Sequence, residues 1–256
     1  MKIFKSLFLA GALLLSLSAH AEKIAVAAAA DLKFAMDEIV AAFKQANPAD
    51  EVEVIYGSSG KFHTQIQQGA PYDLYFSADI AFPRELAKNG LAATDVKPYA
   101  FGRIVLWSAS LDATQMTLAS LTDPKITRIA IANPKHAPYG KRAEEALRAS
   151  GLWEQVEPKL VYGENIAHTA QFVQTGNAQV GIIALSLAVS PELAKRGGYW
   201  LIPDKLHEPL EQGTIITKRA EGNALAKRFA DYMGSKPARA VMTHYGFALP
   251  GEAIEE

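Results

Sequence analysis

The sequence predicts an α/β protein built of two lobes, and three observations carry that prediction. From Lys23 to Lys88, short β-branched or aromatic runs alternate with helix-like stretches across short links, as in parallel βαβ units. At residues 102–108 a strong β run (Gly-Arg-Ile-Val-Leu-Trp-Ser) follows no helix, and a second series of strand, turn and helix starts beyond it. Residues 203–212, with two prolines, then read as a return linker, and residues 213–217 form a β run outside the alternation. A chain that leaves one sheet, builds another and comes back makes two lobes joined by crossing segments, with a cleft between them. The expected division is residues 22–101 with 203–256 in lobe 1, and 102–202 in lobe 2.

Taken in order, residues 23–28 read as a strand. Ala29-Ala30-Asp31 turns into a helix from residue 32 to about 46, with Asp31 placed as its N-cap and Phe34, Ile39, Val40 and Phe43 available to a core. Asn47-Pro48 stops that helix. Residues 52–56 are the second strand, Gly57-Ser58-Ser59-Gly60 a tight turn, and residues 61–68 a helix with Phe62 and Ile66 on one face. Residues 73–77 and 81–88 give a third strand and helix. In the second lobe, residues 128–132 are a strand, and Ala137-Pro138-Tyr139-Gly140 opens a helix to about 149. A short strand at 160–162 leads through Gly163-Glu164-Asn165-Ile166 into a helix ending near 175, and residues 179–185 form a buried strand. Residues 199–202 add a β run, and residues 223–233 and 237–244 are two closing helices.

Composition narrows the function classes. With 49% hydrophobic residues the 256-residue chain can bury a full core. Its net charge of −1 provides no basic surplus to hold nucleic acid, and the absence of cysteine excludes disulfides and thiolate metal sites. Lys2 and Lys5 precede an apolar run at residues 7–17 and a small-x-small site at Ala19-His20-Ala21, which together read as a secretory signal peptide cleaved after Ala21. The run is too short to span a membrane, and no lipobox cysteine follows, so the mature protein is expected to be soluble, monomeric and periplasmic. Without Lys2 and Lys5, 24 of the 26 basic residues stand against 27 acidic ones, a net of −3. Any anion site must therefore be local.

The turns supply one. A helix that starts at a Ser/Gly turn presents free N–H groups and the positive end of its dipole, and serine hydroxyls add neutral donors. An ordinary serine-capped helix has the same local sequence. The first two turns fall on the edge of a parallel sheet where α/β folds bind ligands, and the second lobe repeats the device twice, so both readings stand at this point. Lys61, Lys141 and Arg142 lie near the helix starts and read as solvated faces. The histidines beyond the leader, His63, His136, His168, His207 and His244, lack metal-ligand spacing; His63 and His168 are expected at solvated or cleft-edge positions. A serine hydrolase, with Ser58 or Ser59 served by His63 or His168, is the competing class, but the Gly-x-Ser-x-Gly elbow is one residue short.

The order of these motifs resembles the periplasmic molybdate-binding proteins of ABC importers, the ModA type. The matching runs are Ala28-Ala29-Ala30-Asp31-Leu32, Gly57-Ser58-Ser59-Gly60, Gly69-Ala70-Pro71-Tyr72-Asp73-Leu74 with Ser77-Ala78-Asp79, Asn133 to Gly140, Gly163-Glu164-Asn165-Ile166, Val180-Gly181-Ile182-Ile183-Ala184 and His244-Tyr245-Gly246-Phe247. The resemblance implies a two-lobe type II periplasmic binding protein fold, no cofactor, and molybdate or tungstate as ligand, passed to an inner-membrane permease. Sulfate, phosphate and chromate are the alternative ligands. It also implies contacts at Ala30, Asp31, Ser58 or Ser59, Tyr139 and Ile166. The chain departs from the pattern at Ala30-Asp31, which lacks a hydroxyl donor, and at Ala184, where some members carry a tyrosine; Tyr139 can fill that role. A carboxylate beside an oxyanion is out of place, so Asp31 is expected to donate through its backbone and to cap the following helix with its side chain.

Overall fold

The computed structural model describes residues 22–251; the expected leader and its cleavage site lie outside them. β1 (Lys23–Ala29) passes through a 3₁₀ turn (Ala30–Leu32) into α1 (Lys33–Ala46). β2 (Glu51–Gly57), α2 (Ser59–Gln67), β3 (Leu74–Ser77), α3 (Ala81–Lys88) and β4 (Lys97–Gly102) follow. The second sheet begins with β5 (Ile104–Trp107) and β6 (Ile129–Ala132), then α4 (Pro138–Ala149), α5 (Trp153–Val156), β7 (Leu160–Gly163), α6 (Ile166–Gln174) and β8 (Val180–Ala184). Two short helices, α7 (Leu185–Ala188) and α8 (Pro191–Ala194), lead to β9 (Tyr199–Leu201), and β10 (Leu210–Ile216), α9 (Ala224–Tyr232) and α10 (Lys236–His244) complete the fold.

The strands form two five-stranded sheets of the same design, ordered β2-β1-β3-β10-β4 and β7-β6-β8-β5-β9. Within each, three strands are parallel, as βαβ units require. The crossing strands are antiparallel: β10 to β3 and β4, β5 to β8 and β9. Each sheet is thus mixed. β4, left unassigned by the sequence up to Gly102, is the edge of the first sheet, and only Arg103 separates it from β5 in the second. The return linker is also shorter than expected. Leu210 to Gln212 already pair with β4, and the register shifts at Gln212/Gly213. Such a bulge turns a side chain relative to the ladder, and Gln212 ends fully buried.

β1 is an inner strand of the first sheet, between β2 and β3, and is buried on both faces. Ile24, Val26 and Ala28 pack on the side of α1, α9 and α10, with Met36, Phe43 and Phe229. Ala27 packs on the other, with Phe62, Tyr75 and Leu86 from α2, β3 and α3. Each fully buried large side chain stabilises by about 1.5–3 kcal/mol. The third cluster fills the second lobe but also takes in Ala29, Ala30 and Ala78 from the ends of β1 and β3. The strand ends of the first sheet are therefore sealed against the second lobe, and the interlobe cleft lies there.

Candidate functional site

Four helix starts meet at this seam. The backbone register sets Ala29 beside Gly57, so the turns after β1 and β2 lie side by side. The 3₁₀ turn after β1 also packs on α6. Tyr139 is the second residue of α4, and Ile166 the first of α6. First-turn N–H groups have no partner within their own helix. Asn165 caps α6 by accepting from the His168 N–H at 2.9 Å. All six expected contact residues, Ala30, Asp31, Ser58, Ser59, Tyr139 and Ile166, are at most 5% exposed.

Asp31 does not cap α1: no side-chain cap bond is made at the 3₁₀ turn or at the start of α1. Its Oδ2 instead accepts from the Tyr139 hydroxyl at 2.9 Å and from Gln212 Nε2 at 2.7 Å. Gln212 Nε2 also donates to the Tyr139 hydroxyl at 3.1 Å. On the main chain, Ser186 Oγ, two residues after Ala184, donates to the Asp31 carbonyl at 2.8 Å. These bonds draw a carboxylate of the first lobe to the second, where capping its own helix would have kept it local. Gly102 makes room, since a Cβ there would collide with the Tyr139 hydroxyl. Burial raises the Asp31 carboxyl to about 6 against the pull of Gln212 and Tyr139 and, less strongly, of the backbone N–H groups of Asp31 and Leu32. Tyr139 is held well above the ordinary tyrosine range, by burial first and then by the Asp31 charge.

The α2 start meets the second lobe directly. The Ser58 hydroxyl donates to the His136 carbonyl at 2.5 Å and lies 2.9 Å from His136 Nδ1. The Gly60 N–H donates to the same carbonyl at 2.9 Å. Ser59 turns the other way. Its Oγ accepts from the Ala78 N–H at 3.0 Å and its carbonyl accepts from the Tyr75 hydroxyl at 2.7 Å, both within the first lobe. Lys61 pairs with Glu164 across the cleft, and Glu164 also lies 3.8 Å from His136. Burial lowers the His136 pKa, partly offset by Glu164.

Three placements differ from the expectation. His63 is buried, not solvated, stacked near Phe82 at 5.0 Å with Glu85 at 3.3 Å. Arg142 is buried and bound to Glu145 at 2.6 Å, because its face of α4 turns inward. The histidine at Ser58 is His136; His168 stacks on Phe172 at 4.4 Å instead. Sequence reasoning also missed Gln212 and Ser186. Gln212 lay in a supposed linker, and Ser186 sat beyond a strand end with no local motif. Among the described residues, no group of three or more His, Cys, Asp or Glu side chains gathers as a metal site, and no helix is long and apolar enough to cross a membrane.

Known proteins are similar to this chain in sequence and architecture. A sequence model of the bacterial extracellular solute-binding protein family matches residues 24–248. The molybdate-binding protein ModA of Azotobacter vinelandii is 36% identical over 93% of this chain and 95% of its own length. The chain belongs to this solute-binding family, among its ModA members. The ModA of Rhodobacter capsulatus is 35% identical over 91% of both chains. The solved periplasmic molybdate-binding protein of A. vinelandii superposes with a TM-score of 0.83 at 29% identity, covering 89% of this chain and 99% of that one. These ModA relatives are named for binding, not for catalysis, and the serine hydrolase reading falls with them. Ser58 does meet a histidine, but the buried hydroxyl donates to a backbone carbonyl.

Proposed function

We propose that this chain is the soluble substrate-binding component of a molybdate importer. It captures molybdate or tungstate in the interlobe cleft and delivers it to an inner-membrane permease. The observation that carries the reading is the meeting of four helix starts, two from each lobe, at one buried seam whose donors are neutral. Ala30, Asp31, Tyr139 and Ile166 would give backbone N–H groups. Ser58 would give its hydroxyl by turning from the His136 carbonyl, while Ser59 braces the α2 start. Charge-assisted hydrogen bonds of this kind contribute roughly 1.5–3 kcal/mol each to holding a dianion. The ModA relatives make molybdate the first choice of anion. One observation favours a second reading: Asp31 Oδ1 is a buried acceptor without a partner, which suits an anion that brings its own proton, such as hydrogen phosphate.

Calorimetric titration of the ligand-stripped exported protein with molybdate, tungstate, sulfate and phosphate tests the choice. Molybdate and tungstate should bind tightly, and sulfate and phosphate much more weakly. Sulfate bound as tightly as molybdate, or phosphate bound best, would overturn it.

A further inference from the structure

Asp31 is a carboxylate at the end of β1, where the proposed ligand takes its backbone donors, and it is 1% exposed. Oδ2 already holds two donors, Tyr139 and Gln212, whereas Oδ1 is buried and makes no hydrogen bond; the nearby backbone N–H groups of Asp31 and Leu32 lend the carboxylate only a smaller pull. No cation balances it: among the described residues Asp31 makes no ion pair. The elements packed on its turn are α1, α6, α7 and β2. On α1, Lys33 is tied to Asp37 at 3.1 Å, and Asp37 accepts from Tyr56 of β2 at 2.5 Å. α6 brings His168, whose Nδ1 accepts from the Glu164 N–H at 3.3 Å, and α7 brings only the Ser186 hydroxyl. Tyr139 of α4 and Tyr99 of β4 are neutral, both held well above the ordinary tyrosine range, and Arg142 of α4 is paired with Glu145. A dianion entering this seam therefore meets an ionised carboxylate in a dry site, and like charges so placed disfavour their joint ionisation.

We propose that Asp31 takes up a proton when the cleft binds a dianionic oxyanion, so that the closed complex holds a neutral carboxylic acid whose Oδ1–H donates to the ligand. This rests on the oxyanion reading above and deepens it. The proton comes from solvent or buffer acid, forms a bond to Oδ1, and leaves the ligand a dianion. Proton and anion bind together, and each makes the other's binding more favourable. Burial already holds the carboxyl at about 6, and the dianion raises it further. Below that value Asp31 is protonated beforehand and affinity is flat. Above it every binding event must collect a proton, and affinity falls as pH rises. The device also discriminates by protonation: an anion already carrying a proton competes for the same oxygen without collecting one.

Titration of the purified exported protein with sodium molybdate, in two buffers of different ionisation enthalpy at about pH 8, counts the protons. About one proton per molybdate should be taken up, and affinity should fall up to about tenfold per pH unit between about pH 7 and 9. Asp31→Asn should abolish both the uptake and the slope and bind more tightly than wild type at the alkaline end. Tight molybdate binding by wild type with no proton uptake overturns the proposal, as does uptake that persists in Asp31→Asn. If that variant does not fold, the wild-type proton count decides alone. Absence of heat with every oxyanion is a different result and overturns the ligand reading itself.

Discussion

Burial moves the Asp31 carboxyl from its ordinary 3.8 to about 6, which bears on folding as well as on binding. A raised carboxyl favours the protonated folded state. The contribution of Asp31 to stability is therefore greatest below about pH 4, where both states are protonated, falls as the unfolded chain ionises between about pH 4 and 6, and stays lower above. At 1.36 kcal/mol per pH unit, the loss is at most about 3 kcal/mol. Asp31→Asn removes the charge and keeps an acceptor for Tyr139 and Gln212. Denaturant unfolding at about pH 4 and pH 8 should show the variant gaining on wild type by up to about 3 kcal/mol at the higher pH. A gap between the two proteins that does not move with pH would show that Asp31 ionises at no cost to the fold.

At the scale of the element, the start of α2 is shaped for contact with the opposite lobe. Gly60 sits where a Cβ would lie 2.6 Å from the His136 carbonyl oxygen, a backbone atom that can move only if the lobes move. Within its own helix an alanine there is favourable by roughly 0.5–1 kcal/mol. Gly60→Ala should thus leave thermal stability unchanged or slightly raised while holding the lobes apart. Molybdate affinity should drop at least about tenfold, or about 1.4 kcal/mol, in a titration run beside a thermal melt. Unchanged affinity would mean that the contact between α2 and His136 is not needed for closure. The bulge in β10 does related work within the same lobe, since the register shifts just after Gln212, whose side chain reaches Asp31.

Over the whole molecule, closure joins unequal contacts. The Lys61–Glu164 pair is about half exposed on both sides and adds little, as surface ion pairs do. The buried bonds of Asp31 with Tyr139 and Ser186 link the lobes in a dry seam and carry more. The first described residue is also tied into this body. The Glu22 carbonyl accepts from the Glu51 N–H at 2.8 Å, and Arg228 reaches both Glu22 and Asp50. Processing after Ala21 would leave a chain that starts inside the fold. Mass and N-terminal sequencing of periplasmic material should find Glu22 first; an intact Met1 there would show that the leader is retained.

The sequence by itself determined the alternation of strands and helices, the four helix starts, three of them marked by glycine or proline, and the resemblance that named the family. Each of these is written within a few neighbouring residues, through periodicity, turn chemistry and capping. Tertiary structure alone decided the antiparallel crossing strands, because β10 finds its partners β3 and β4 more than a hundred residues back in the chain. It also decided the direction of Asp31. A carboxylate at a helix start has a local solution, the cap, and local reasoning chooses it. The donors that won stand 108 and 181 residues away on α4 and β10, and only the closed seam, by excluding water, makes them the stronger partners.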